Sequence, residues 1–456
     1  MTDQQQPTHS RIITPLCDDG AVEPEVHVQP APARLRTDVF LTFGGKLTVL
    51  ALGFVTVAVV ARELGTATTG VFLVAYSLTL LLTQVGGLGL TTANPYFAAR
   101  EPSQIAQIVS NSLWLAIALG AVLALVGAAI KVVFPNLLEG LGWVPLGVTL
   151  IGLPGALAAL LLQSVLLGEG RMVAYNGVEA AQATLTLAAI VVGFLFFDFA
   201  LTGTLAVIAV SRYVAATVYL ILLGHRALTR SRFDRELARR MFAYGLRVYV
   251  AIVLSYLLVR FDLLLVNAFL GSSEAGLYGV AATFADGMFV IPMVISLNLF
   301  PRVARGDPIE ASAEIFRSVT VLYGLLCLVT IPLAGPVITT FFGESYADAV
   351  PLYYWLLPGI YAYGLVSILS SHFVGRGFPR AAIVIWAIGI TLNIALNVIF
   401  LPGRGAWVAS VTSSISYGIL LVMHMWLFAR EAGGYGVLRP RPREVVQFVR
   451  VALSRG

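Results

Sequence analysis

Charge is scarce in this sequence. Of 456 residues only 12% are Asp, Glu, Lys or Arg, 58% are hydrophobic, and the mean hydropathy is +0.87. A soluble domain carries about 25% charged residues. The shortage excludes a soluble enzyme, a disordered chain and a nucleic-acid-binding module, and it defines a polytopic membrane protein. Lysine is nearly missing, since Lys46 and Lys131 stand alone among 29 basic residues. Cysteine is nearly missing too: Cys17 and Cys327 cannot build a disulfide framework, and Thr14-Pro15-Leu16 follows no apolar segment, so no lipoprotein signal is expected. The first 36 residues are polar and bear prolines, which reads as a disordered tail rather than a cleavable signal. No P-loop, no His/Cys/Asp cluster and no nucleophile beside a base occurs, so ATP use, a metal, a cofactor and catalysis are not expected.

What is present is apolar length. Twelve segments can each cross a bilayer: 39–61, 70–93, 108–130, 143–167, 175–197, 203–223, 242–269, 276–300, 319–342, 351–374, 381–401 and 405–428. The expected fold is an all-α integral membrane protein. Its parts are a tail (1–36), a first lobe of six spans (37–224), a basic linker (225–241), a second lobe (242–428) and a basic tail (429–456). Arginine sets the orientation. The linker holds Arg226, Arg230, Arg232, Arg235, Arg239 and Arg240, and the C-terminal tail holds Arg430, Arg439, Arg441, Arg443, Arg450 and Arg455. Arg100, Arg171, Arg302, Arg305, Arg376 and Arg380 fall on the same side, against Arg62, Lys131 and Arg404 on the other. The positive-inside rule then puts both termini and the linker in the cytoplasm. The outer loops are short and carry Glu63, Glu139, Glu274, Glu344 and Asp348, with Tyr353, Tyr354 and Trp355 as an interfacial belt.

The halves resemble each other. Leu64-Gly65, Gly70 and Phe72 match Leu270-Gly271, Gly276 and Tyr278 at an offset of 206, and Gly168-Glu169-Gly170 matches Gly375-Arg376-Gly377 at 207. Gly203 and Gly405 open corresponding spans. Six spans is an even number, so the copies share one topology and would be related by an axis along the membrane normal. Two such lobes around a cavity suit alternating access.

Charges within the spans are costly, about 2.5–3.5 kcal/mol each at the centre, and persist when they pair, snorkel or face a wet cavity. Lys46, Glu179, Arg212, Arg247, Arg260, Asp262, Asp286 and His372 are such residues. In the seventh span Tyr249, Tyr256, Arg260 and Asn267 share one helical face, with Asp262 nearly opposite beside Ser255. Arg260 and Asp286 each lie about 10–15 Å from the outer ends of their helices, so pairing between spans seven and eight is geometrically open. Two readings stand for Arg260: a cationic cavity wall that meets phosphate, or half of a structural ion pair. Lys46 either faces the cavity or snorkels to the inner headgroups. Asp262 and Asp286 are candidates for ion coupling or for structural pairing. Glu179 and His372 sit near inner helix ends and read as interfacial, and Arg212 lies deep enough to need a partner such as Glu179. Asn393 and Asn397, one turn apart, suit helix–helix hydrogen bonding.

These residues together resemble the polysaccharide (O-antigen-type) flippase branch of the multidrug/oligosaccharidyl-lipid/polysaccharide exporter superfamily. The resemblance rests on Arg62-Glu63-Leu64-Gly65 with Gly70-Val71-Phe72, Gly87-Leu88-Gly89-Leu90, and Arg260-Phe261-Asp262 with Leu270-Gly271 and Gly276-Leu277-Tyr278. It continues through Pro292, Phe300-Pro301, Gly375-Arg376-Gly377, Asn393, Asn397, Pro402 and Gly405-Ala406, from about Phe40 to Phe428. It implies flipping of a polyprenyl-diphosphate-linked oligosaccharide from the inner to the outer leaflet of a bacterial cytoplasmic membrane, in cell-surface polysaccharide biosynthesis. It also implies two lobes around a hydrophilic cavity with lateral openings for the lipid tail near spans one and eight. The cavity cations would map onto Lys46 and Arg260, and Tyr249, Tyr256 and Asn267 of the polar stripe are the other candidate substrate-binding residues. Membrane lipid, Na+ or H+, and a polymerase or glycosyltransferase of the same pathway are the implied partners; nucleic acid is not.

Two relatives compete. A cation-coupled multidrug or metabolite antiporter would want an acidic, aromatic cavity. The peptidoglycan-precursor flippases usually carry two further C-terminal spans, where this chain has a tail with Pro440 and Pro442. The orientation is checked by cysteine labelling in a cysteine-free background. Thr229→Cys in the linker should react with an impermeant maleimide only in inside-out vesicles, and Asn136→Cys only in right-side-out ones.

Overall fold

The computed structural model describes residues 32–224, 233–377, 380–439 and 441. The polar leader 1–31, the linker arginines Arg226, Arg230 and Arg232, and Arg443, Arg450 and Arg455 of the tail lie outside the described residues. Within them the regular structure is helical: α1 Pro32–Gly86, α2 Leu90–Arg100, α3 Ile105–Val133, α4 Trp143–Gly168, α5 Met172–Phe197, α6 Leu201–Leu223 and α7 Arg235–Leu270. The rest are α8 Ser272–Asp286, α9 Val290–Ala304, α10 Ile309–Phe342, α11 Ala349–Gly375, α12 Arg380–Phe400 and α13 Trp407–Glu431. A chain in hydrocarbon must satisfy its own backbone, and only helices do so within one segment.

Among the described residues, 11 helical stretches are long and apolar enough to cross a membrane. The first, Thr42–Gly86, runs 45 residues, about 67 Å at 1.5 Å per residue and twice the hydrocarbon thickness. It does not run straight. Gly65 breaks it with φ 71 and ψ 174, so two helical segments meet there. Gly271, which separates α7 from α8, has φ 86 and ψ 174. Both positions lie in the left-handed half of backbone space, where a residue without Cβ is unstrained. Outward-facing side chains are large and apolar, including Leu125, Val144, Ile151, Leu195, Phe196 and Val422. A soluble protein would not leave so much apolar area in water.

The halves of the chain meet at a close helix crossing. A Cβ at Gly70 would overlap the Ser272 carbonyl oxygen, and one at Gly276 would overlap that of Thr66. The contact is reciprocal, because Thr66 and Ser272, like Gly70 and Gly276, are 206 residues apart in the sequence. Small residues let backbones approach where side chains would hold them apart. A second close approach puts the backbones of Gly89, just before α2, and Gly245, on α7, together.

Both ends of this interface carry polar ties. At one end the Arg62 guanidinium donates to the Phe341 carbonyl at 2.9 Å and to that of Thr340, at the C-terminus of α10, and the Tyr346 hydroxyl donates to Ala61 O at 3.2 Å. A cation at a helix C-terminus meets carbonyls that have no intrahelical donor. At the other end Arg240 forks onto Glu101 at 3.0 and 3.2 Å, and Tyr244 stacks on Tyr96 with centroids 4.1 Å apart.

Several helices extend past the apolar runs that define them in the sequence. The seventh starts at Arg235, where the Asp234 carboxylate caps Leu237 N at 3.0 Å and Asn111 accepts from Asp234 N at 2.8 Å. α10 likewise begins at Ile309 and α13 ends at Glu431. The overshoot explains why His372 is fully buried rather than interfacial. Ser312 on α10 lies 2.8 Å from its Nδ1, and Glu431 on α13 lies 3.5 Å from its Nε2.

The crossing can be tested by adding one methyl group. Gly276→Ala should lose about 3 kcal/mol or more of stability, because backbone rather than a mobile side chain opposes it. Gly44→Ala, with nothing within 4 Å of its Cβ position, should stay within about 1 kcal/mol of the parent. Thermal unfolding of the detergent-solubilised proteins separates the two.

Candidate functional site

Two ion pairs lie in the membrane-spanning part, one from each half of the chain. In the first, Lys46 Nζ on α1 is 2.6 Å from Glu179 Oε2 on α5, with side chains 19% and 24% exposed. Gln163 Nε2 on α4 donates to the same carboxylate oxygen at 3.0 Å, and the Lys46 ammonium lies 5.1 Å from the Tyr175 ring centroid. Tyr175 and Glu179 are one turn apart on α5, so a single helix face presents both the carboxylate and the π-face to the cation. α1 comes close enough because Gly45 lies against Asn176, which also donates to Thr42 Oγ1 at 3.2 Å.

In the second pair, Arg260 Nη2 on α7 is 2.7 Å from Asp286 Oδ2 on α8. The two pairs are not independent sites. The Tyr256 hydroxyl, one turn from Arg260, lies within electrostatic reach of both Lys46 and Arg260, and also of Tyr76 and Tyr175. Lys46, Tyr256, Arg260 and Asp286 therefore converge from α1, α7 and α8 on one polar region between the halves. Neither cation is bare. Each has a carboxylate in contact, so the two pairs sum to zero charge.

The other two members of the α7 face are used differently. Tyr249 donates its hydroxyl to the Val85 carbonyl near the end of α1. Asn267 is fully buried, and its amide donates to Glu139 O at 3.1 Å and Leu137 O at 3.4 Å. Both tie α7 to backbone of the first half. A helical wheel gives a shared face but not the depth at which neighbouring backbone closes over it.

Asp262 faces the interior of the second half. It is fully buried; Oδ1 accepts from Asn397 Nδ2 at 3.0 Å, and Oδ2 accepts from Tyr278 OH at 3.3 Å and from Ser413 Oγ. Asn397 Oδ1 in turn accepts from Thr412 Oγ1 at 2.9 Å. The polar partners of this carboxylate among the described residues are hydroxyls and amides, with no basic group. Asn393, one turn from Asn397, is buried beside the same carboxylate. The result is a cluster of oxygen atoms around one uncompensated carboxylate.

Beside the Lys46–Glu179 pair is a cavity of about 100 Å³ lined by Thr79, Thr83, Gln163, Glu179, Gln182 and Arg212. It has room for several waters. Arg212 is the cation that sequence depth alone could not place. It shares the cavity with Glu179, but that carboxylate is already bound by Lys46. Glu179, Gln163 and Tyr175 were not legible as a set, because they come from two helices. The one local signal was the Tyr175–Glu179 spacing.

The geometry and the fold define a multi-pass α-helical membrane protein with a polar site between its halves. By sequence, a family model described as polysaccharide biosynthesis protein matches residues 35–307, more than half of the chain, and the chain belongs to that family. A putative O-antigen transporter of Shigella flexneri is 22% identical over 249 residues, 53% of this chain and 59% of that one. An uncharacterised membrane protein of Methanocaldococcus jannaschii is 24% identical over 161 residues, 34% of this chain and 37% of that one. The chain thus spans less than two thirds of the length of these curated relatives. In fold it is similar to an inward-facing multidrug resistance MATE family transporter of the MOP superfamily, with TM-score 0.71, 14% identity, and 85% of this chain and 94% of that one covered. The lipid II flippase MurJ in an inward closed conformation gives TM-score 0.69 at 13% identity, covering 85% and 87%. The polysaccharide branch read from sequence motifs agrees with the family model and with the O-antigen relative, while the fold is one this chain shares with the MATE transporter and MurJ.

The second ion pair is checked by a double-mutant cycle. Arg260→Gln and Asp286→Asn should each cost about 1–2 kcal/mol of thermal stability. The double variant should recover about 1 kcal/mol of the sum, since each single change strands a half-buried charge.

Proposed function

We propose that this protein is a flippase that carries a polyprenyl-diphosphate-linked oligosaccharide from the inner to the outer leaflet of a prokaryotic cytoplasmic membrane. The observation that carries the reading is the convergence of Lys46 and Arg260 on Tyr256 from opposite halves of the chain. A diphosphate offers several acceptor oxygens and more than one negative charge, so it can take an ammonium from one half and a guanidinium from the other. Tyr256, within electrostatic reach of both, supplies a hydroxyl.

The proposed architecture counts α1 as two spans broken at Gly65. That makes twelve in two six-helix lobes with both termini cytoplasmic. The matched φ/ψ of Gly65 and Gly271 and the reciprocal Gly70–Gly276 crossing support a parallel repeat about an axis along the membrane normal. Rocking of one lobe on the other, with the ties at Arg62 and at Arg240 released in turn, would give alternating access. The relation to an O-antigen transporter favours a glycan cargo, assembled by glycosyltransferases and consumed by a polymerase.

Outward movement of an anion down an inside-negative potential gains about 2.3 kcal/mol per charge per 100 mV. Asp262 is the candidate for ion coupling. A buried carboxylate with no cationic partner among the described residues is where a proton or a Na+ would be taken up.

The test is a leaflet assay in liposomes with a fluorescent polyprenyl-diphosphate oligosaccharide and an impermeant quencher. Flipping should depend on the protein and rise with an inside-negative potential. It should fall about tenfold or more in Lys46→Gln and Arg260→Gln. Absence of flipping across a panel of glycans, with uptake of cationic drugs against a Na+ or H+ gradient instead, would assign the chain to antiport. Flipping of lipid II alone would assign it to peptidoglycan precursors.

A further inference from the structure

Lys46 is already paired with Glu179, and a cation held at 2.6 Å by a carboxylate attracts a second anion weakly. For Lys46 to meet a diphosphate, Glu179 must be released, and a carboxylate stranded in this setting costs several kcal/mol unless another cation takes it. Arg212 is positioned to do so. It lines the same cavity as Glu179, with the Gln163 and Gln182 amides on the wall between helices α4, α5 and α6. Its Nε is buried without a hydrogen-bond partner among the described residues. It also borders a second small cavity with Tyr76 and Thr79, so its side chain has space on two sides. The buried Tyr219 hydroxyl lies within electrostatic reach of both Glu179 and Arg212.

We propose that Glu179 is a shared counter-ion: Lys46 holds it in the empty site, and Arg212 takes it when an anionic diphosphate binds Lys46. Arg212 is then a positioning residue that never touches the cargo, and Glu179 is an internal competitor of the cargo. No proton or bond is exchanged; one ion pair replaces another. The Gln163 amide, which donates to Glu179 at 3.0 Å, accompanies the carboxylate from one partner to the other. The exchange gives the site a reason to change shape on loading, because it draws α5 toward α6 and away from α1.

The inference rests on the diphosphate reading above, and the test separates the two. The full chain in nanodiscs is titrated with geranylgeranyl diphosphate. Glu179→Gln should bind about three- to tenfold tighter than the parent, because the competitor is gone. Arg212→Gln should bind about three- to tenfold weaker, and Arg212→Lys should bind close to the parent. The decisive variant is the double one: in the Glu179→Gln background, Arg212→Gln should change affinity less than twofold, since no carboxylate needs a new partner. Equal weakening in both backgrounds, or weaker binding by Glu179→Gln alone, overturns the handover and leaves the flippase reading intact. A folded parent that does not bind the diphosphate at all removes the flippase headgroup site itself. Should Arg212→Gln fail to fold, the Glu179→Gln affinity alone decides: tighter binding upholds the competition, and unchanged or weaker binding ends it.

Discussion

A charge taken into hydrocarbon must be neutralised there, and the polar architecture of this protein follows from that requirement. Lys46 finds Glu179 and Arg260 finds Asp286, in both cases on a neighbouring helix of the same half. Asp262 finds no cation among the described residues and is instead enclosed by hydroxyls and amides. The helices that carry these groups are fixed in azimuth by the pairs they make. A rotation of α1 or α7 that broke a pair would expose an uncompensated ion to lipid or to the protein interior.

Between the pairs, the structure relies on glycine. The crossing at Gly70 and Gly276 brings backbones together with no side chain between them, a contact that depends on shape and not on charge. Close packing of small residues is strong in a membrane, where no hydrophobic effect favours one helix pair over another. It also leaves a smooth surface on which helices can tilt. The ties at Arg62 and at Arg240 are of another kind, since exposed guanidinium contacts with carbonyls and carboxylates are individually weak and separable. A backbone-to-backbone contact flanked by separable polar ties would suit the rocking proposed above.

For the proposed diphosphate cargo, the charge balance of the site would matter. A cavity with two bare cations would bind any anion and release it slowly. Two cations already neutralised by carboxylates would bind an anion only by exchange, which would lower affinity and favour turnover. The oxygen cluster at Asp262 lies in the second half and the Arg212 cavity in the first, so the features available for ion coupling and for counter-ion exchange are divided between the halves.

The amino-acid sequence by itself determined the class of protein, the helical segments and the family. Hydropathy is a local, additive property, and the Leu-Gly…Gly motifs at positions 64–72 and 270–278 are local too. Tertiary structure alone decided the partners. Asn267 looked like cavity wall because it shares a helical face with Arg260, but the turn after α3 closes over it. His372 looked interfacial because an apolar run ends nearby, but α10 and α13 extend past that end and enclose it. Glu179 looked like an inner-end residue, yet it holds Lys46 from another helix. In each case the deciding quantity was the depth and rotation of one helix relative to its neighbour, which a single segment does not contain.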